Sequence, residues 1–181
     1  VKKVISLSTD KASSPLNLYG ATKLTSDKLM VAANNYKGNL KTIFSVVRYG
    51  NVMGSRGSVI PLFLKQKEKG IFSITHPNMT RFNITLEESV NFVINALNHM
   101  TGGEIFVPKI KSYKILDLAK SISKKTKIQI TGVRSGEKIH EEMISNADAK
   151  NTVEGKNYYI ILPLSRFNSL NKSFYLKKFK N

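Results

Sequence analysis

A tyrosine and a lysine four positions apart, Tyr19 and Lys23, are the residues of this sequence best suited to move a proton. At that spacing in a helix both side chains lie on one face, one turn apart. A free phenol titrates near pH ~10, and a fixed positive charge beside it favours the ionised form. The pair therefore predicts a proton acceptor made from a phenol and an ammonium group.

The elements that must position this pair are a strand, a helix and a second strand. Residues 4–8 are typical of a short buried strand, residues 16–36 have helical periodicity, and the β-branched run 42–47 indicates another buried strand. Such a unit implies parallel strands joined by a right-handed crossover. Residues 48–54 then leave the carboxyl end of the second strand, where open α/β sheets bind ligands.

The rest of the chain alternates short helices and strands. Helices are predicted over residues 59–69, 85 to 99 or 100 (from a capping box at 85–88), 115–124 and 139–144. Strands are predicted over residues 72–74, 104–107, 127–130 and 158–162.

These patterns predict an α/β fold, the rear half of a Rossmann-like doubly wound parallel sheet plus a small mixed α/β substrate-binding subdomain. The expected divisions are the sheet part at 1–57, the subdomain with returning sheet elements at 58–165, and a basic, poorly patterned tail at 166–181. No Gly-x-Gly-x-x-Gly turn precedes the Tyr19 helix, and the first residue is not methionine. We therefore expect a fragment of a longer protein, with an open edge on the strand at 4–8.

The charge balance is strongly basic, with 29 Lys and Arg against 12 Asp and Glu and a formal net charge of +17. Nucleic acid, an anionic membrane surface, small phosphorylated ligands or a missing acidic portion could each balance such an excess. The sequence has no zinc-finger or RNA-binding motif, no apolar stretch of membrane length and no secretory signal. It also has no cysteine and no histidines at metal-ligand spacing. The prediction is a cytoplasmic protein with no metal and no nucleic-acid or membrane partner.

Several motifs together resemble the extended short-chain dehydrogenase/reductase family. The three that carry the resemblance are Ser8-Thr9-Asp10-Lys11, Tyr19-Gly20-Ala21-Thr22-Lys23 and Arg48-Tyr49-Gly50-Asn51. Further stretches, which include Gly54-Ser55-Arg56, Met79-Thr80-Arg81-Phe82 and Gly136-Glu137-Lys138, resemble the branch of inverting UDP-N-acetylglucosamine 4,6-dehydratases of pseudaminic acid biosynthesis. The resemblance extends over residues 1–162.

The resemblance implies a lyase that first oxidises C4 of the sugar, because a C4 ketone makes the C5 proton acidic. Tyr19 would take the proton of the C4 hydroxyl while a hydride passes to NADP (or NAD), and Lys23 would hold the cofactor ribose. Thr9 or Ser8 would hydrogen-bond the C4 oxygen.

The elimination of water is implied to use the neighbouring pair. Lys11 would remove the C5 proton and Asp10 would protonate the leaving C6 hydroxyl. Asp10 could instead only cap the turn, since Asp is common in turns. Relatives that retain the C5 configuration resemble this chain but carry Met at the position of Tyr19, so Tyr19 favours the inverting branch.

The resemblance also implies two sets of binding residues and a homo-oligomer. The cofactor contacts would be Ser8, Tyr19, Lys23, Tyr49, Gly50, Asn51 and Val52. The UDP-sugar contacts would be Asn51, Arg56, Arg81, Arg134 and Glu137. Guanidinium groups suit a diphosphate because they form paired, charge-assisted hydrogen bonds.

Three alternatives stay open at this point. A 4-epimerase or reductase of the same fold would use Tyr19 without an elimination step. A truncated chain would be catalytically silent, and we expect these 181 residues alone not to turn over substrate. Polyanion binding would show a steep dependence on salt.

Overall fold

The computed structural model describes residues 1–163 and 172–179, which form two compact units. The first contains Val1–Tyr49, Glu88–Lys109 and the described residues from Glu142 onward; the second contains Gly50–Glu87 and Ile110–Glu141. The chain enters the second unit after Tyr49, earlier than the expected division at 57, because residues 51–52 pair with a strand of that unit.

The described residues contain six α-helices, ten strands and one 3₁₀ turn at Asp10–Ala12. The helices are α1 (Leu18–Tyr36), α2 (Val59–Glu68), α3 (Leu86–His99), α4 (Ile115–Ile122), α5 (Asn146–Ala149) and α6 (Lys172–Phe179). The strands are β1 (Lys3–Thr9), β2 (Ile43–Tyr49), β3 (Asn51–Val52), β4 (Ile71–Ile74), β5 (Thr80–Ile84), β6 (Ile105–Pro108), β7 (Ser112–Lys114), β8 (Lys127–Ile130), β9 (Thr152–Glu154) and β10 (Tyr158–Ile161). In this part of the chain no helix is both long and apolar enough to cross a membrane.

The first unit is built on a five-stranded sheet in the order β1-β2-β6-β10-β9. β1 and β2 are parallel, with Leu7 opposite Val47, and β6 continues the parallel part, with Ile105 opposite Val46. β10 and β9 are antiparallel. The α/β class and the parallel strand–helix–strand unit are thus confirmed. Among the described residues β1 pairs on one side only, which is the open edge that the sequence predicts.

Apolar side chains from this sheet, from α3 and from Met100 directly after it form the core of the first unit. Val47, Phe106 and Ile160 pack with Ala96 and Met100, and all five are almost fully buried. β-branched and aromatic residues suit the strands because their side chains pack well on a pleated surface.

A buried carboxylate connects α6 to the same core. Glu104 is fully buried and accepts hydrogen bonds from Ser45 Oγ at 2.6 Å, from the Gly102 amide at 2.8 Å and from the Tyr175 hydroxyl at 3.1 Å. Burial and the adjacent Glu104 carboxylate raise the pKa of Tyr175. α6 lies in the tail for which the sequence predicted no pattern; residues 164–171 and 180–181 of that region lie outside the described residues.

The second unit contains a three-stranded sheet, β3-β5-β7, and a parallel pair, β4-β8. Phe63 of α2, Phe72 and Ile74 of β4 and Ala119 of α4 are buried together with Met79. Because β4 and β8 are parallel, their carboxyl ends meet at one edge, and this edge borders the cavity described in the next subsection.

One predicted element is wrong. Residues 139–144 form no helix, and the helix α5 begins only at Asn146, where Ser145 Oγ caps it by accepting from the Asp148 amide. The carbonyl of Ile139 instead accepts from the Thr80 amide at 3.0 Å, and that of Met143 from Arg48 at 3.0 Å. These backbone groups are therefore used in tertiary contacts that a local pattern does not encode.

Candidate active site

The 3₁₀ turn after β1 holds an acid and a base side by side. Thr9 Oγ1 donates to Asp10 Oδ1 at 2.9 Å and accepts from the Lys11 amide, which fixes the start of the turn. Lys11 Nζ lies 3.0 Å from Asp10 Oδ1. Asp10 is fully buried, and its Oδ2 has no hydrogen-bond partner among the described residues. That oxygen can accept one further hydrogen bond.

The first turns of α1 lie against this turn and the end of β1. Asn17 caps the helix by accepting from the Gly20 amide at 2.9 Å. Lys23 Nζ lies 3.4 Å from the carbonyl oxygen of Leu7, and the backbone at Gly20 closely approaches Lys11. Tyr19 is half-exposed, so its phenol is accessible. The structure thus gathers the five predicted catalytic residues of the first unit at one end of β1.

Two predicted cofactor residues of the first unit also lie at this end of the sheet. Ser8, at the end of β1, is buried, and its Oγ has no partner among the described residues. Its neighbour across the sheet is Arg48, and Thr9 is opposite Tyr49. Burial raises the pKa of Tyr49. A buried, unsatisfied hydroxyl is costly unless something binds to it, so Ser8 fits a ligand-contacting position.

Four of the five predicted UDP-sugar residues line one cavity of about 520 Å³ in the second unit, namely Asn51, Arg81, Arg134 and Glu137. This volume is in the range of small-molecule sites. Arg81 Nη2 lies 3.3 Å from Glu137 Oε1, and Arg81 Nη1 donates to the carbonyls of Thr80 and Ile139. The Arg134 side chain is exposed. Arg56 is exposed too, but it does not line this cavity.

Sequence reasoning missed several residues that line this cavity. Thr75 directly follows β4 and Thr131 directly follows β8, so both lie at carboxyl ends of parallel strands. The rule that ligands bind at such ends could have found them. Gly50 has a structural explanation, because a Cβ at this position would lie 2.5 Å from Cβ of Phe82. The predicted cofactor contacts of Gly50, Asn51 and Val52 stay predictions.

A buried guanidinium group supports the elements behind the turn. Arg48, at the end of β2, is 1% exposed and lies 3.0 Å from Asp27 Oδ2 of α1 and 3.4 Å from Asp148 Oδ2 of α5. It also donates to the carbonyl of Met143 at 3.0 Å. Arg48 therefore joins α1 to β2 and to the segment around α5, a role that its place in the Arg48-Tyr49-Gly50-Asn51 motif did not indicate.

Fold and site together define a short-chain dehydrogenase/reductase type of α/β protein, in which a Tyr-x-x-x-Lys helix packs on the end of a parallel strand. The sequence profile of one family matches residues 1–163. The chain belongs to this family, the polysaccharide biosynthesis proteins.

Two curated relatives match most of the chain under different names. The chain is 56% identical over 169 residues to the UDP-N-acetylglucosamine 4,6-dehydratase (inverting) of Campylobacter jejuni, and the match covers 92% of this chain and 51% of that protein. It is 43% identical over 166 residues to the UDP-glucose 4-epimerase of Rickettsia canadensis, with coverages of 89% and 49%. The chain thus spans about half the length of the curated relatives it matches.

Solved structures agree on the fold. Pen from Bacillus thuringiensis is 39% identical with a TM-score of 0.86, and the match covers 91% of this chain and 54% of that one. A dTDP-glucose 4,6-dehydratase of Streptomyces venezuelae with NAD bound is 19% identical with a TM-score of 0.67, over 83% of this chain and 53% of that one. The second likeness shows the fold alone.

Proposed function

We propose that this chain is the part of a nucleotide-sugar 4,6-dehydratase that carries its acid–base residues, and that the whole protein dehydrates UDP-N-acetylglucosamine with inversion at C5. The observation that carries the proposal is the packing of the Tyr19/Lys23 helix on the Asp10-Lys11 turn. A 4,6-dehydratase needs one group to oxidise C4 and a second acid–base pair to eliminate water, and this strand end supplies both. The 56% identity to the Campylobacter jejuni dehydratase supports this proposal.

In the first step Tyr19 accepts the proton of the C4 hydroxyl. Lys23 Nζ lies at the same end of β1, 3.4 Å from the Leu7 carbonyl oxygen. Thr9 Oγ1 donates to Asp10 Oδ1 in the structure, and this proton turns to the C4 oxygen while the ketone forms. Ser8 and Lys23 would hold a nicotinamide cofactor, which would supply the redox chemistry by accepting a hydride from C4 and returning it to C6.

In the second step Lys11 removes the C5 proton and Asp10 protonates the leaving C6 hydroxyl, so that water departs. In the structure Lys11 Nζ donates to Asp10 Oδ1 at 3.0 Å as an ion pair. The step therefore begins when one proton passes from Lys11 to Asp10 across this distance, and the elimination then regenerates the same ion pair. Tyr19 gains one proton from the C4 hydroxyl, and C5 takes up one proton at the end of the reaction. The number of protons on the protein is therefore the same before and after one turnover.

The residues at the end of β1 fit a nicotinamide cofactor. Ser8 Oγ, buried and without a partner in the described part of the chain, offers one hydrogen bond, and the ammonium of Lys23 offers another to a ribose hydroxyl. NAD is bound in a solved structure of the same fold. NADP rather than NAD, a homo-oligomeric assembly, a cytoplasmic location and a role in pseudaminic acid biosynthesis stay predictions.

The cavity of the second unit is the proposed nucleotide-sugar site. Its exposed guanidinium, Arg134, suits the diphosphate, and Glu137 can accept from ribose hydroxyls. Arg81 is already bonded to Glu137 and to two carbonyl groups, so its first role is to shape the cavity.

Replacing Arg134 by methionine is expected to weaken the binding of UDP by about 10- to 100-fold, because a hydrogen bond to a charged group contributes roughly 1.5–3 kcal/mol. Isothermal titration of the chain with UDP measures the change. Lys120→Met, which removes one exposed charge from α4 of the same unit, is the matched control and is expected to bind UDP as the unchanged chain does. Equal affinities for the Arg134 variant and the unchanged chain would contradict the assignment of this cavity.

A substitution of Lys11 distinguishes a dehydratase from a 4-epimerase, because an epimerase needs no base for elimination. The test uses a fusion protein, in which this chain is joined to the part of the Campylobacter jejuni relative that lies outside the match, in that relative's order. Lys11→Met in the fusion protein should lower formation of the 4-keto-6-deoxy sugar by about 10²- to 10⁴-fold, the usual contribution of a general base. Mass spectrometry of the products measures it.

The outcomes of this experiment are distinct. A fusion protein that interconverts the C4 epimers, and does so equally well with Lys11→Met, would replace the dehydratase proposal by the epimerase. A fusion protein that binds UDP but forms neither product would reject both activities.

A further inference from the structure

We propose that Gly20 is a positioning residue, whose lack of a side chain sets the distance between the Tyr19/Lys23 helix and the Asp10-Lys11 turn. The proposal rests on the proposed function, because it concerns how the two pairs of groups act in one reaction. It assigns a role to a residue that itself has no chemistry.

The contact at Gly20 leaves no room for a methyl group. A Cβ built at this position would lie 2.4 Å from the carbonyl oxygen of Lys11 and 2.9 Å from Cβ of Pro15. Ordinary contact begins near 3.4 Å. The backbone of Gly20 does not have a positive φ, so its conformation does not require glycine. Because glycine weakens a helix, the close approach is the remaining reason for its presence near the start of α1.

Neither obstacle can move aside by itself. The carbonyl of Lys11 belongs to the backbone of the 3₁₀ turn, which is closed by the Ser13 amide donating to the Asp10 carbonyl at 3.1 Å. The turn also begins at the Thr9 cap. Pro15 Cβ is part of a rigid ring. A methyl group on residue 20 must therefore shift the whole turn relative to α1, by the 1.0 Å that separates 2.4 Å from 3.4 Å.

A shift of this size has a selective effect on the proposed reaction. A misplacement of about 1 Å can cost about 10²-fold in rate when reacting groups must be aligned. Lys11 and Asp10 move with the turn, whereas Tyr19 and Lys23 move with the helix. The elimination should therefore suffer more than the oxidation at C4. The residues proposed to hold UDP belong to the second unit, so UDP affinity should not change.

The first experiment compares Gly20→Ala with Ala21→Ser in the fusion protein. Ala21 is the next residue of α1 and is exposed, so Ala21→Ser adds one atom where there is space. For Gly20→Ala we expect product formation to fall by about 10²-fold with UDP affinity unchanged. In a single turnover, reduced nicotinamide should form and then persist, because C4 is still oxidised while the elimination that follows is slow. Ala21→Ser should behave as the unchanged fusion protein.

Two results would overturn the proposal. One is product formation by Gly20→Ala within about threefold of the unchanged fusion protein, well short of the loss that misalignment causes. The other is an equal loss of UDP binding, oxidation and elimination, which is the pattern of a protein that has merely unfolded.

The second experiment needs no activity. A crystal structure of the chain with Gly20→Ala should show the Lys11 carbonyl displaced from α1 by about 1 Å, with Asp10 displaced in the same direction. An unmoved turn would reject the proposal whatever the reaction is. If the unchanged fusion protein makes no dehydrated product while the turn does move, the proposed function fails and the positioning role of Gly20 stands.

Discussion

Replacing Arg48 by methionine is expected to lower the free energy of unfolding of the first unit by about 3–5 kcal/mol, the usual loss when one partner of a buried ion pair is removed. Natural domains are stable by only about 5–15 kcal/mol, so this one substitution should leave the unit marginal. Methionine carries no charge and fills the space of the arginine side chain only as far as Nε, so it removes the ion pairs, and the space left by the guanidinium group adds to the loss.

The loss comes from the carboxylate that is left behind. Asp27 is fully buried in α1, and Arg48 Nη2 at 3.0 Å is the charge that compensates it. Its other oxygen, Oδ1, has no hydrogen-bond partner among the described residues. Asp148 is partly exposed, so water can replace Arg48 there at a smaller cost. The carbonyl of Met143 also loses its donor.

Hydrogen exchange at the amides of β2 measures the effect locally, and the amides of β4 in the second unit give an internal reference. Lys28→Met removes an exposed charge from the residue next to Asp27 and should change the opening free energy by less than about 0.5 kcal/mol. The double variant Arg48→Met/Asp27→Leu should recover most of the loss, because an apolar pair of similar volume can replace a buried ion pair. If the single and double variants lose equal stability, the unpaired Asp27 carboxylate is not the cause.

The parallel half of the fold could be predicted because its signals are local. Residues 4–8 and 42–47 are apolar and β-branched, the segment between them has helical periodicity, and a strand–helix–strand unit has one usual handedness. β1, α1 and β2 lie within a few residues of these predictions. The strands of the second unit that were missed, β3, β5 and β7, are short or polar and depend on partners far along the chain.

The candidate site could be predicted as a set of residues, but not as a geometry. The spacing of Tyr19 and Lys23, together with the family resemblance, predicted which groups at the end of β1 are catalytic. The spacing could not show that Gly20 contacts the Lys11 carbonyl, because this approach joins residues on two elements. It could not show that Arg48 binds Asp27 and Asp148, since those contacts span 21 and 100 positions. Arg56 shows the opposite case: its motif resembles the family and predicted a UDP-sugar contact, but Arg56 does not line the cavity.

Replacing Tyr19 by phenylalanine in the fusion protein is expected to lower kcat/KM by about 10²- to 10⁴-fold, because it removes the proposed proton acceptor of the first step. The ring keeps its size and Tyr19 is half-exposed, so the fold should be unaffected. The block falls at oxidation of C4. A single turnover should therefore form no reduced nicotinamide, in contrast to the Lys11 and Gly20 variants, which act after that step.

Tyr36→Phe is the matched control for this substitution. Tyr36 lies in the last turn of the same helix and is 85% exposed, and the change removes the same hydroxyl group. Its kcat/KM should equal that of the unchanged fusion protein, and both variants should bind UDP with unchanged affinity. If Tyr19→Phe retained more than a tenth of the activity, the result would contradict the role of Tyr19 as the proton acceptor. In that case the acceptor would have to be another group at the end of β1, and Lys11 would be the next residue to test for oxidation at C4.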